Sequence, residues 1–164
     1  MKSRTGYKKA LMAKWTLYSA VTFSLLGLPL PAFAALGASV NSVRDDQVRL
    51  QARIAVTAVG PYAVHELTSA LGTVVREYVS PNGRIFAVSW QGPFMPDLKQ
   101  ILGNYFEQYL SAAKQQRQRQ GGRLPLNIEK PSLVMQNSGH LRAYSGRAYD
   151  PGLLPTGVSA DDLR

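Results

Sequence analysis

The chain has no cysteine among its 164 residues and only two histidines, His65 and His140. The first absence excludes a disulfide, a lipidated cysteine anchor, a thiol nucleophile and a cysteine-held metal. A fold without such supports must rest on its packed core. The second leaves little material for imidazole chemistry. No Gly-x-Ser-x-Gly elbow is present. Gly121-Gly122 neither precedes a phosphate-binding lysine nor opens a helix. Acids are scarce as well, ten Asp and Glu against nineteen Lys and Arg. No apolar run reaches the roughly 20 residues that cross a bilayer as a helix. Nothing here calls for a cofactor.

What is present begins with a positive head, Lys2, Arg4, Lys8, Lys9 and Lys14. An apolar stretch follows from Trp15 to Leu28, then Pro29 and Pro31, then Ala32-Phe33-Ala34. This order predicts an export signal over residues 1–34, cut near Ala34, with the mature protein periplasmic or secreted. The alternative is retention of the segment as a membrane anchor. The remaining 130 residues make one domain's worth of chain. They hold fourteen cations against ten anions, a net charge of +4.

Four of those cations, Lys114, Arg117, Arg119 and Arg123, fall within ten residues. No aromatic side chain is interleaved for base stacking, so nucleic acid is not an expected partner. The run reads as a helix end whose cations suit the negative pole of the dipole, leading into a Gly-Gly linker. Its functional alternative is contact with an anionic envelope surface.

Between the termini, Val43, Gln47, Leu50 and Ile54 have helical spacing, with Ser42 as N-cap and Asp45 in the first turn. Residues 52–58 fit a strand equally well. Tyr62–Thr68, Thr73–Val79 and Arg84–Trp90 predict an antiparallel meander, turning at Ser80-Pro81-Asn82-Gly83. Phe86, Val88 and Trp90 are assigned to one face of the third strand, Ile85, Ala87 and Ser89 to the other. Apolar residues on both faces imply a strand covered twice, or covered once and used once for binding.

Residues 96–113 predict one long amphipathic helix. Pro96 opens it, Asp97 sits in its first turn, and Leu98, Ile101, Leu102, Tyr105, Phe106 and Tyr109 form the stripe. Ser132–Gln136 and His140–Tyr149 predict a second hairpin around Asn137-Ser138-Gly139, with a bulge or bend at Gly146. The fold class is therefore α+β: an antiparallel sheet, meander plus C-terminal hairpin, with that helix packed across it. The domain spans 35–149 and a loosely held tail spans 150–164.

Several strings are distinctive: Tyr62-Ala-Val-His-Glu-Leu, Gly72-Thr-Val-Val-Arg-Glu-Tyr-Val-Ser-Pro, Phe86-Ala-Val-Ser-Trp-Gln-Gly-Pro, Pro96-Asp-Leu and Gly139-His-Leu-Arg-Ala-Tyr-Ser-Gly-Arg-Ala-Tyr. They resemble a domain-of-unknown-function family of small exported proteins from proteobacteria of the Burkholderia type, over most of the chain after Ala35. The resemblance implies an envelope or secreted location and a shared fold. It brings no activity, cofactor or catalytic residue. The hairpin from Gly72 to Trp90 also resembles that of exported peptidase-inhibitor modules of the PepSY type.

The candidate ligand-binding residues are His140, Arg142, Tyr144, Arg147 and Tyr149. If a bulge at Gly146 restored register, these cations and rings would share one surface suited to anionic or sugar-bearing ligands. Alternatively the tyrosines pack on the sheet and the arginines are rim charges. The leading function is a non-catalytic binding module for an envelope component or protein partner. One alternative is a hydrolase using His65 or His140 with Glu77, or a metal-dependent enzyme with both histidines and Glu77. Another is an inhibitor or chaperone-like subunit that takes a strand at an open edge beside Thr73–Val79 or Ser132–Gln136. Glu66 and Glu77 either face each other as a carboxylate pair or answer Arg76 and Arg84 across the sheet.

Overall fold

Alternating and β-branched residues from Arg53 to Gly92 build four strands joined by tight turns: β1 Arg53–Val59, β2 Tyr62–Thr68, β3 Val74–Val79 and β4 Ile85–Gly92. The computed structural model describes residues 36–120 and 125–164. The export signal read at 1–34 and the Gly121-Gly122 linker with Arg123 lie outside them. A short helix, α1 Val43–Arg49, precedes β1. It stops well before Ile54, which belongs to the strand, so the ambiguous 52–58 segment is β structure. Ser42 makes no side-chain cap. Its hydroxyl donates instead to the Ser39 carbonyl at 2.5 Å.

The helix expected as one rod over 96–113 is broken. Asp97, not Pro96, sets its start: the carboxylate accepts from the backbone N–H of Lys99 at 2.9 Å and of Gln100 at 3.4 Å. α2 Leu98–Leu102 ends where Gly103 takes φ +50°, a value few side chains tolerate. A 3-10 turn, Gly103–Tyr105, then leads into α3 Phe106–Gln120. Arg117 and Arg119 fall in the last turn of α3, at the negative end of its dipole.

Three further strands follow: β5 Leu126–Lys130, which the sequence reading missed, β6 Leu133–His140 and β7 Ala143–Tyr149. β6 runs straight through Asn137-Ser138-Gly139. The turn falls at Leu141-Arg142, with His140 opposite Ala143 and Arg142 at φ +66°. All seven strands form one antiparallel sheet in the order β1-β2-β3-β4-β7-β6-β5. The protein is α+β. β3 and β6 are both interior, so the open edge considered beside either of them does not exist. The outer strands are β1 and β5.

The two faces of the sheet are covered differently. On the first, Leu67, Val75, Ile85, Val88, Trp90, Met135 and Ala148 share a buried cluster with Val43, Ile101, Leu102, Tyr109 and Ala112. On the second, Tyr78, Phe86 and Ala87 are buried with Leu163, against Tyr62, Tyr149, Leu153 and Leu154. A bulge between Tyr78 and Val79 puts Ala87 opposite the former and Ile85 opposite the latter. That extra residue turns Phe86 toward the second face, away from Val88 and Trp90, and corrects the assignment made from simple alternation. Every residue from Ile85 to Trp90 is buried, as a strand covered on both sides requires.

Residues 150–164, read as a loose tail, lie against the second face. Leu163 is 2% exposed, and burying one leucine contributes about 2 kcal/mol. The Asp150 carboxylate accepts from the Tyr105 hydroxyl at 2.5 Å. The Tyr78 hydroxyl donates to the Arg164 carbonyl at 2.5 Å.

Gly146 marks no bulge, for pairing runs unbroken through it on both sides. It is small because Trp90 lies opposite: a Cβ there would stand 2.3 Å from the indole Cζ2. Gly146→Ala should therefore cost about 1–3 kcal/mol in denaturant unfolding by overpacking this seam, and Trp90→Phe in the same background should recover part of that loss.

Candidate functional site

Of the five ridge residues, the sheet gathers some and separates others. Register places Arg147 and Tyr149 on the second face, with His140 at the far end of β6 on that same side. Tyr144 alternates with Ser145 and Arg147, so it falls on the first face. Arg142 sits in the exposed turn. Without a bulge at Gly146 the register shift that would have united them does not occur.

Arg147 instead belongs to a row that crosses six strands, Glu66, Arg76, Ser89, Arg147, Gln136 and Asn127. Over this row lies a cleft of about 380 Å³ whose lining includes Arg76, Ser89, Gln136, Ser138, Ser145 and Arg147, with Leu163 and Arg164 at one side. Arg147 Nε donates to Gln136 Oε1 at 2.8 Å. Its Nη1 donates to the carbonyls of Ala160 and Leu163. Ser89 Oγ donates to the Arg164 carbonyl at 3.1 Å. Arg76 Nε meets Glu66 Oε2 at 2.9 Å. Arg76 thus has its counter-charge, whereas the partners of Arg147 are neutral oxygens. The cleft therefore presents the Arg147 guanidinium, held by neutral oxygens, among amides and hydroxyls, and suits polar or anionic groups. Ser89, Gln136 and Asn127 were missed because three separate pairings, β4–β7, β6–β7 and β5–β6, bring them into one row with Arg147.

The hydrolase alternative sets His65 or His140 beside Glu77, and the metal alternative needs all three together. His65 and Glu77 are direct cross-strand partners. His140 lies four strands from His65, on the other face and exposed. At about 4.8 Å per strand the two imidazoles are far apart. Among the described residues no group of three His, Asp or Glu is placed to hold a metal ion. Glu66 and Glu77 do not form a pair either, since Glu66 faces Arg76 on the opposite side of β2.

Glu77 has a different companion. It is fully buried on the first face, where Asp46 of α1 is buried as well. Asp46 Oδ1 accepts from Gln100 Nε2 at 2.6 Å. Asp46 Oδ2 and both Glu77 oxygens have no donor partner, so the two carboxyls are satisfied only if one keeps its proton and gives it to the other. Burial is the main cause that pushes Asp46 up to about 6, against the Gln100 hydrogen bond and the Arg49 charge. Burial and then the Asp46 charge raise Glu77 well above the carboxylate range. Beside them, burial lowers the His65 pKa, and its Nδ1 has no partner. This cluster is enclosed and reads as a structural acid pair.

A protein-family model described as "Protein of unknown function (DUF2844)" matches residues 32–163. No curated protein and no solved structure matches the chain.

The acid pair gives stability a definite pH dependence. Below about pH 4 folded and unfolded chains both hold these protons, so the pair contributes no slope. Above it the unfolded chain releases them, while the folded chain retains the Asp46 proton to about pH 6 and holds that of Glu77, raised by burial, well past its ordinary range. Stability therefore falls as pH rises through this window. His65, lowered in the folded state, opposes this up to about its unfolded value of 6.5. Thermal unfolding across pH should show Glu77→Gln gaining on the parent as pH rises, with a flatter decline above about pH 4.

Proposed function

The chain belongs to the DUF2844 family, and for this member we propose a non-catalytic, exported module that binds an anionic or sugar-bearing envelope component. The observation that supports this reading is the cleft on the second face. Arg147 brings a positive charge without a carboxylate partner. Ser138, Ser145 and Gln136 supply hydroxyl and amide groups along the same wall. Its volume of about 380 Å³ lies in the range of small-ligand sites, roughly 300–1,000 Å³. A forked guanidinium among hydroxyls and amides suits a carboxylated or phosphorylated sugar. The sequence over residues 1–34, with its positive head, apolar stretch and Ala-x-Ala end, supports delivery to the periplasm or beyond. Lys114, Arg117 and Arg119 would add attraction to an anionic surface, weakened by salt.

Ser145 tests the cleft without touching the tail, because it lines the wall and is exposed. Titration with polyuronate oligosaccharides should show binding by the parent and at least a tenfold loss in Ser145→Trp, with far-ultraviolet dichroism and melting temperature unchanged. Equal binding by parent and variant, or none by either, removes the reading. The export half is checked separately. Protein recovered from the periplasm should begin at Ala35, and an intact Met1 on soluble cytosolic material would contradict it.

A further inference from the structure

The two outer strands of the sheet differ in how they are guarded. β5 has Pro125 and Pro131 at its ends and carries Glu129 and Lys130. Gln116 of α3 donates to the Pro125 carbonyl beside it at 3.2 Å. These are the devices by which sheet proteins discourage edge pairing. β1 has them only at its limits, Arg53 at its start and Gly60-Pro61 after its end. From Ile54 to Val59 it holds no charge, proline or glycine. It pairs with β2 over seven consecutive positions without a bulge, and no described strand pairs with its other side. Val56 is 59% exposed and Val59 41%. A straight, apolar, unguarded edge of this kind is a template for another strand.

We infer that β1 is a homodimer seam, pairing antiparallel with β1 of a second copy so that one sheet continues across both. The composition of the strand favours this occupant. Its one charge, Arg53, stands at its start. Antiparallel pairing centred on Val56 sets Arg53 against Val59 of the other copy, so the two arginines sit at opposite ends of the seam. Parallel pairing would bring them toward each other. The same register places Ile54 against Ala58, Ala55 against Thr57 and Val56 against its own counterpart. Larger side chains thus meet smaller ones on either side of the central valine. Residues opposed in this register have the same parity, so equivalent faces of the two sheets lie on the same side, as a two-fold axis through the seam requires. One strand from each copy makes a small interface, below about 1,200 Å² in total, and the dimer should be weak and concentration-dependent.

The absence of cysteine makes the test specific. Purified full-length chain should shift from monomer to dimer in sedimentation velocity across micromolar to millimolar concentration. Val56→Lys should stay monomeric with unchanged dichroism. Val56→Cys alone should be linked in high yield by a short bifunctional maleimide. Val59→Cys alone should not, its two thiols lying about 20 Å apart. An Arg53→Cys and Val59→Cys mixture should link. A parent that remains monomeric throughout overturns the inference, as does a dimer that persists in Val56→Lys. Should that variant fail to fold, the cysteine pattern still decides: linkage through Val59→Cys alone, or none through Val56→Cys, overturns it.

Discussion

The seam between β4 and β7 is the constraint on which the rest depends. It joins two meanders built from separate stretches of sequence, β1 to β4 and β5 to β7. At its centre the Trp90 indole lies over Gly146, where even a methyl group would collide. That contact fixes the lateral position of β7 and, through it, the row in which Arg147 stands beside Ser89 and Gln136. The cleft is thus a product of register: this pairing brings Arg76 and Ser89 beside the wall built by the β6–β7 hairpin. The bulge at Phe86 has the complementary effect. It makes β4 apolar toward both layers and supplies the second face with the ring that Tyr62 and Tyr78 pack around, at 5.7 and 6.1 Å between centroids.

Polar groups divide between the two layers according to their access to water. On the second face Arg76, Arg147 and their partners remain near solvent and keep their charge, since each hydrogen bond is made at modest desolvation cost. On the first face Asp46 and Glu77 are enclosed, and burial favours their protonated forms. Among the described residues, Gln100 donates a hydrogen bond to Asp46 of this pair. Its position follows from the Asp97 cap, which starts α2 three residues earlier. A capping residue on the surface thereby determines how an acid in the interior is satisfied.

Much of the meander was legible in the sequence because its cues are local. Tyr62–Thr68 and the turn at Ser80-Pro81-Asn82-Gly83 stand where alternation and turn chemistry put them. The ion pair of Glu66 with Arg76 also follows from a hairpin register. What escaped were features set by distant partners. β5 has only five residues and two charges, and it becomes a strand by pairing with β6. The Asn137-Ser138-Gly139 string has the composition of a turn, yet β7 pairs along all of it, and β5 pairs with Asn137 on the other side. Gly146 was assigned a bulge on its residue type, whereas its reason is an indole more than fifty residues away. The ridge of candidate residues failed with it. The tail was read from its prolines and glycines, and that composition contains no sign that Leu163 has a pocket to enter.

The order of the strands in the sheet also affects when the fold can close. β4 is made early, but its second neighbour is the last strand in the chain, and the α2–α3 region, β5 and β6 must all come between. Pairings of such long sequence separation form late, because the intervening loop must be closed before any contact rewards it. Until residues 143–149 leave the ribosome, the nascent polypeptide has an unzipped flank at its very centre. A molecule in that condition cannot close its middle, and the finished sheet can click shut only once the last strand is made.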